Sequence, residues 1–212
     1  MMKIKIFTTL SLIFGLSFFY GQKLEFKDKN FEKAVLENFD QNKNGAIESS
    51  EANAVSNLFL VQKGITSTAD LHFFKNAKMI VLDGNAIFEM SINNLDQLEL
   101  FSCTGCKIVV FKGENLRNLA SLYLDNNLLE SVLLKAMPKI DQLTLSLNQL
   151  KTIDLSQLKS LRKLNLEHNK LQKVDISGNL ALQTLNIGGN AMKQADIKKG
   201  MKTDMTVFGV EK

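Results

Sequence analysis

Tryptophan is missing from this chain, proline occurs once, and cysteine and histidine occur twice each among 212 residues. Cys103 and Cys106 form a single C-x-x-C pair and His72 and His168 lie far apart. A zinc site needs more ligands than that pair supplies, so none is indicated. The formal charge of +4 hides no basic block, because Lys, Asp and Glu are interspersed. Affinity for phosphate backbones comes from concentrated positive charge, which excludes nucleic acid as a partner. Neither a phosphate-binding Gly loop nor a metalloprotease helix is present, and Glu167–His168 has no nucleophile at a fixed offset. The chain therefore reads as a non-enzyme, with His168 a solvated turn residue. A compact domain of this length would carry more proline and some tryptophan. A chain that grows by adding equal units has no such need. The apolar fraction of 45% and charged fraction of 23% are ordinary for a folded soluble protein.

One long apolar run exists, Ile6 to Tyr20, behind Lys3 and Lys5. It is too short to span a bilayer as a helix and reads as a secretion signal over residues 1–21, cleaved near Gly21-Gln22. No Cys follows it, so no lipid attachment is expected. Removing Lys3 and Lys5 takes the formal charge from +4 to about +2. The mature chain is expected outside the cytoplasm, and no sorting motif or membrane segment follows the last repeat, which favours a free secreted protein.

From residue 77 to residue 192 the sequence repeats every 21 positions without insertion or deletion. Asn85, Cys106, Asn127, Asn148, Asn169 and Asn190 mark the period. Ahead of each stands an apolar pair: Ile80/Leu82, Phe101/Cys103, Leu122/Leu124, Leu143/Leu145, Leu164/Leu166 and Leu185/Ile187. Two residues behind comes Ile87, Ile108, Leu129, Leu150, Leu171 or Met192. A fixed period of this length is the signature of a solenoid. The period-2 alternation marks a short strand with both apolar residues inward. Each Asn then turns the chain, its amide having donors and an acceptor for the backbone of neighbouring turns. Val132/Leu134, Ile153/Leu155 and Val174/Ile176 predict a second extended segment on the opposite side. Leu58/Leu60 predict a first, irregular rung, and residues 204–210 a closing strand whose register stays open.

The unit L-x-x-L-x-L-x-x-N-x-L resembles the leucine-rich repeat family, and the resemblance covers residues from about 58 to the end. Its short length, with Asp-Leu-Ser at 154–156 and Asp-Ile-Ser at 175–177, is similar to the secreted bacterial type, internalin-like in plan. The resemblance implies an α/β repeat solenoid, a right-handed coil with a concave parallel sheet. Its expected divisions are an N-terminal helical cap over 22–57, repeats over 58–202 and a capping strand over 203–212. Departures fall in the second repeat. Cys106 replaces a ladder Asn, and Gly113 leaves an inward position empty, so this rung is expected to be the softest. Cys103 and Cys106 both hold inward positions. A disulfide is conceivable in a secreted chain, but burial as two small hydrophobes is the favoured expectation.

Asp40-Gln-Asn42-Lys-Asn44-Gly45-Ala46-Ile47-Glu48-Ser-Ser-Glu51 fits D-x-[DN]-x-[DN]-G-x5-E at every defined position and resembles the EF-hand calcium loop. Calcium would draw on side-chain oxygens at Asp40, Asn42 and Asn44, the Ala46 carbonyl, Glu48 through a water, and both oxygens of Glu51, with Gly45 allowing the sharp turn. Phe31, Ala34, Val35 and Phe39 predict an incoming amphipathic helix capped by Asp28 or Asn30, and residues 52–55 a short outgoing one. With few carboxylates and no second hand, binding in the 10⁻⁴–10⁻³ M range of extracellular modules is expected. The other reading of the segment is a metal-free polar turn.

Residues between the inward leucines point out from the concave sheet in columns. One runs Met79, Leu100, Ser121, Gln142, Lys163, Thr184. The next runs Val81, Ser102, Tyr123, Thr144, Asn165, Asn186, and the third Asp83, Thr104, Asp125, Ser146, Glu167, Gly188. The candidate partner surface is Phe59, Met79, Val81, Leu100, Ser102, Tyr123, Asp125, Gln142, Thr144, Lys163, Asn165 and Glu167. Six rungs give a face roughly 30 Å long. The expected function is binding of an unidentified protein by a monomer. A structural or adhesive surface role, or glycan binding, is the alternative; only Phe59 and Tyr123 offer aromatic faces for a glycan.

Overall fold

The computed structural model describes residues 21–201 and 204–210; the expected secretion signal, but for Gly21, lies outside the described residues. Eight short strands form one parallel sheet in chain order: Asn57–Phe59, Met79–Val81, Leu100–Ser102, Ser121–Tyr123, Gln142–Thr144, Lys163–Asn165, Thr184–Asn186 and Thr206–Phe208. Their central residues pair in a single file: Leu58, Ile80, Phe101, Leu122, Leu143, Leu164, Leu185 and Val207. The register of the closing strand is thus Leu185 opposite Val207, one residue longer than the internal period. The inward file from Leu58 to Leu185 is buried, and the apolar interior runs unbroken from Leu24 to Ile197. This is a leucine-rich repeat solenoid, in which each rung finds its apolar partners in the rungs before and after it.

Asparagine holds the turns together. Asn148 donates to the carbonyls of Leu145 in its own rung (3.0 Å) and Leu124 in the preceding one (3.0 Å), while its Oδ1 accepts from Leu129 N (2.9 Å). Asn127, Asn169 and Asn190 repeat the pattern. Consequently the carbonyls of Leu124, Leu145 and Leu166 each receive two amides, one from their own rung and one from the next. These buried groups are satisfied without water, as an interior requires.

The second repeat departs from this spine and corrects the thiol expectation. Cys103 and Cys106 are joined in a disulfide with Cα atoms 5.6 Å apart, both fully buried. The N–H of Ile87, which an Asn at position 106 would otherwise take, donates instead to the backbone carbonyl of Cys106 (2.9 Å). The inward position at Gly113 is not empty either. A Cβ there would lie 2.2 Å from the Met137 methyl and 3.0 Å from the Phe111 ring, so these two side chains occupy the space.

On the opposite flank Glu89–Asn93, Val110–Glu114 and Ser131–Lys135 form a three-stranded parallel sheet. The corresponding segment at 152–155 forms no strand, and only Val174–Asp175 with Ile197–Lys198 pair further on. Extended segments on this side are therefore continuous in the N-terminal half alone.

Two helices precede the first rung, Lys29–Phe39 and Ser49–Ala54. The first buries Phe31, Ala34 and Val35, and is capped by Asp28, whose Oδ1 accepts from Asn30 N and Phe31 N. The other oxygen of Asp28 accepts from Thr66 N (2.7 Å), Thr66 Oγ1 and Ser67 N, so one carboxylate fastens the helix to the loop after the first strand. Asp70, fully buried, accepts the N–H groups of Lys27 and Asp28. Phe31 packs with Phe26 and Phe74 at ring separations of 5.9 and 5.7 Å, sealing the end of the core with aromatic area.

Candidate functional site

The loop from Asp40 to Glu51 joins the two helices. Gly45 sits at φ +77°, which glycine adopts at little cost. Asp40 turns back on the loop, accepting from Asn44 N (3.2 Å) and Gly45 N (2.9 Å). Asn42 Oδ1 accepts from Asn44 N (3.0 Å), and Asn44 Oδ1 from Ala46 N (2.9 Å). At the exit, Glu51 Oε1 accepts from Gln41 N (2.8 Å) and its Oε2 from Glu48 N (3.0 Å). The amides of Asn42 and Asn44 both donate to the Glu48 carboxylate. All six positions thus gather in one small loop, with Glu48 and Glu51 buried and Asp40 half-buried.

Burial opposes ionisation of Glu51, but a hydrogen bond shared with the Glu48 carboxyl and N–H groups from Glu48, Gln41 and Asn42 outweigh it and hold its pKa below the usual range. No ion pair joins Asp40, Glu48 or Glu51 to a lysine or arginine among the described residues. Nor, among them, do three His, Cys, Asp or Glu side chains converge as metal ligands. The remaining oxygens of the loop are amide and carbonyl, hard donors of the kind that suits calcium.

The concave face divides into two parts. Phe59 is 52% exposed and Val61 44%, while Met79, Val81, Leu100 and Tyr123 are half-buried. Phe59 lies opposite Val81 and Met79 opposite Leu100, which makes an apolar cluster over the first three rungs, while Tyr123 stands opposite Ser102 on the fourth. Gln142, half-buried, and Lys163, exposed, lie beyond it.

The polar candidates are largely engaged with one another. Asp83 accepts from Ser102 Oγ (2.6 Å) and Thr104 N (2.8 Å) of the next rung. Asp125 accepts from the Thr144 hydroxyl and from Ser146 N (2.8 Å) and Oγ (2.5 Å). Glu167 accepts from the Asn186 amide (3.1 Å), and Asn165 Oδ1 from Glu167 N (3.0 Å). An acid at every second rung therefore clamps its rung to the following one. Ser102, Asp125, Thr144, Asn165 and Glu167 lie on the expected face, and each engages at least one polar atom within it. The alternation Asp83, Asp125, Glu167 was the sequence signal for this. Val61, one column further out, was not among the expected residues. His168 Nε2 lies 3.8 Å from Glu167 Oε1, and both are solvent-exposed to a large degree.

Residues 117–171 match the family model of the leucine-rich repeat. Among solved structures, internalin C2 of Listeria monocytogenes is similar at 17% identity with a TM-score of 0.52, over 80% of this chain and 88% of that one. An internalin-like protein of the same bacterium is similar at 18% identity with a TM-score of 0.56, over 84% of this chain and 69% of that one. At such identities the likeness is one of fold. No curated protein matches in sequence. The family model covers the central rungs alone, and the parallel solenoid carries the same leucine-rich repeat fold over the rungs on either side. Among the described residues no helix is long and apolar enough to cross a membrane.

Proposed function

We propose that the protein is a secreted leucine-rich repeat module that binds another protein through the N-terminal part of its concave sheet, with calcium as a structural ion in the loop 40–51. The observation that carries this reading is the apolar patch of Phe59, Val61, Met79, Val81, Leu100 and Tyr123. Single exposed apolar residues are ordinary, but Phe59, Met79, Val81 and Leu100 paired across three adjacent strands, with Val61 and Tyr123 flanking them, are the mark of a contact surface. Aromatic and aliphatic side chains held by a rigid sheet bind at low conformational cost. The test compares recovery of partners from culture supernatant by wild type and by Tyr123→Ala/Leu100→Ser. Both substitutions are on half-buried outward positions, so melting should change little while recovery falls. Undiminished recovery removes the patch from consideration.

Calcium is supported by the donor set and by buried carboxylates lacking any cation. Asp40, Asn42 and Asn44 would contribute side-chain oxygens, Ala46 its carbonyl, and Glu51 both carboxylate oxygens, with Glu48 acting through water. The ion would supply positive charge at Asp40, Glu48 and Glu51, none of which is ion-paired with a lysine or arginine among the described residues. For dissociation constants of about 10⁻⁴–10⁻³ M, 10 mM calcium stabilises by about 1.4–2.7 kcal/mol. Glu51→Gln should abolish this increment. Equal melting of wild type in calcium and in chelator refutes the structural ion.

A further inference from the structure

We infer that residues 22–24 are a working part of the calcium site, a strand that clamps the exit half of the loop from outside it. The inference rests on the calcium reading above and goes beyond it by assigning the N-terminal segment a role in affinity. Lys23 pairs with Glu48 in an isolated antiparallel bridge. Leu24 N donates to Ile47 O (2.9 Å) and Ser49 N to Gln22 O (3.0 Å). These two bonds fix the backbone on either side of Glu48, between the Ala46 carbonyl and the Glu51 carboxylate.

The clamp is anchored at its far end. Leu24 and Phe26 are buried, and the N–H groups of Lys27 and Asp28 are held by Asp70. The strand is therefore fixed to the first rung before it reaches the loop. The loop itself is mostly exposed from Gln41 to Gly45. Its entrance is ordered by its own side chains, whereas its exit borrows order from residues 22–24. An ion that draws in Ala46, Glu48 and Glu51 binds more tightly when that backbone is already extended, because less ordering accompanies binding.

The geometry separates two adjacent positions. Leu24 N–H is used in the bridge, so proline there deletes a bond. Lys23 N–H is not used, and proline at such a position is tolerated in a strand. Calcium chloride is titrated calorimetrically into the full chain and into Leu24→Pro, Lys23→Pro and Leu24→Ala. Leu24→Pro should weaken calcium roughly five- to tenfold, the scale of one hydrogen bond. Lys23→Pro should stay within about twofold, and Leu24→Ala, which keeps the bond but loses packing, should lose less than Leu24→Pro. Hydrogen exchange on the wild type gives a second measure that does not depend on any variant folding: calcium should slow exchange at Leu24 and Ser49. Wild-type affinity in Leu24→Pro, equal losses in Leu24→Pro and Leu24→Ala, or unchanged exchange at Leu24 and Ser49 overturns the clamp. An absence of calcium binding by the wild type overturns the loop's calcium reading and the clamp together.

Discussion

The asparagine spine makes a quantitative demand that two single substitutions can check. Asn148→Ala removes the acceptor of Leu129 N, leaving one buried N–H unpaired. The carbonyls it served keep a second amide each, Leu124 from Asn127 and Leu145 from Asn169. Asn127→Ala is worse placed. Its Oδ1 accepts from both Cys106 N (2.9 Å) and Ile108 N (3.0 Å), and its amide serves Cys103 O, where the disulfide stands in place of a second ladder asparagine. At about 1–3 kcal/mol for each orphaned buried group, Asn148→Ala should cost about 1–3 kcal/mol. Asn127→Ala orphans three groups and should cost about 3–6 kcal/mol, some relaxation being allowed for. Urea unfolding of both variants, with the change in midpoint converted through a common slope, measures the difference. Equal losses, or a loss under about 0.5 kcal/mol for Asn127→Ala, would refute the claim that the spine is weakest beside the disulfide.

Further outcomes follow from the cap and the second rung. Burial pushes the Asp28 carboxyl up, but bonds from Phe31, Thr66 and Asn30 outweigh it and leave its folded pKa below the ordinary value. Its stabilisation is therefore present above the unfolded pKa of about 4 and is lost as pH falls through the folded value. Melting of the wild type should drop more steeply than that of Asp28→Asn below about pH 4; parallel curves would contradict the assignment. The disulfide, fully buried, should resist reductant until the rung opens, so alkylation under native conditions should label neither cysteine. Labelling of both in the folded protein would show that the bond is absent or exposed. Cys103→Leu/Cys106→Asn supplies the residues found in neighbouring rungs and should melt independently of reductant, whereas the wild type should melt lower once reduced and unfolded.

Much of this was legible in the sequence, because a strict period leaves one arrangement in which five asparagines, Cys106 and their apolar pairs share an interior. The cysteine bond was missed although the register contained it. Each ladder amide reaches a carbonyl three residues back, as Asn127 reaches Leu124 O at 3.0 Å. Positions 103 and 106 therefore face the same small space, and burial of each implies contact between them. Gly113 misled for a related reason: an inward position counted within one rung can be filled from the next, as Met137 does. The bridge at Lys23 carries no periodic signal at all, since two hydrogen bonds to a loop leave no pattern in residues 22–24.

The placement of the apolar patch also follows from how the rungs are spaced. Where extended segments pair on both flanks, each flank fixes the rung separation at the strand spacing of about 4.8 Å. That condition holds from Glu89 to Lys135, which includes the rungs bearing Leu100 and Tyr123. Equal spacing on both sides restrains curvature in this part of the solenoid. Beyond it, residues 152–155 form no strand and the far flank is free to spread. The doubly paired rungs thus lie under Met79, Val81, Leu100 and Tyr123, whereas Phe59 and Val61 stand on the first rung, which has no strand on the far flank.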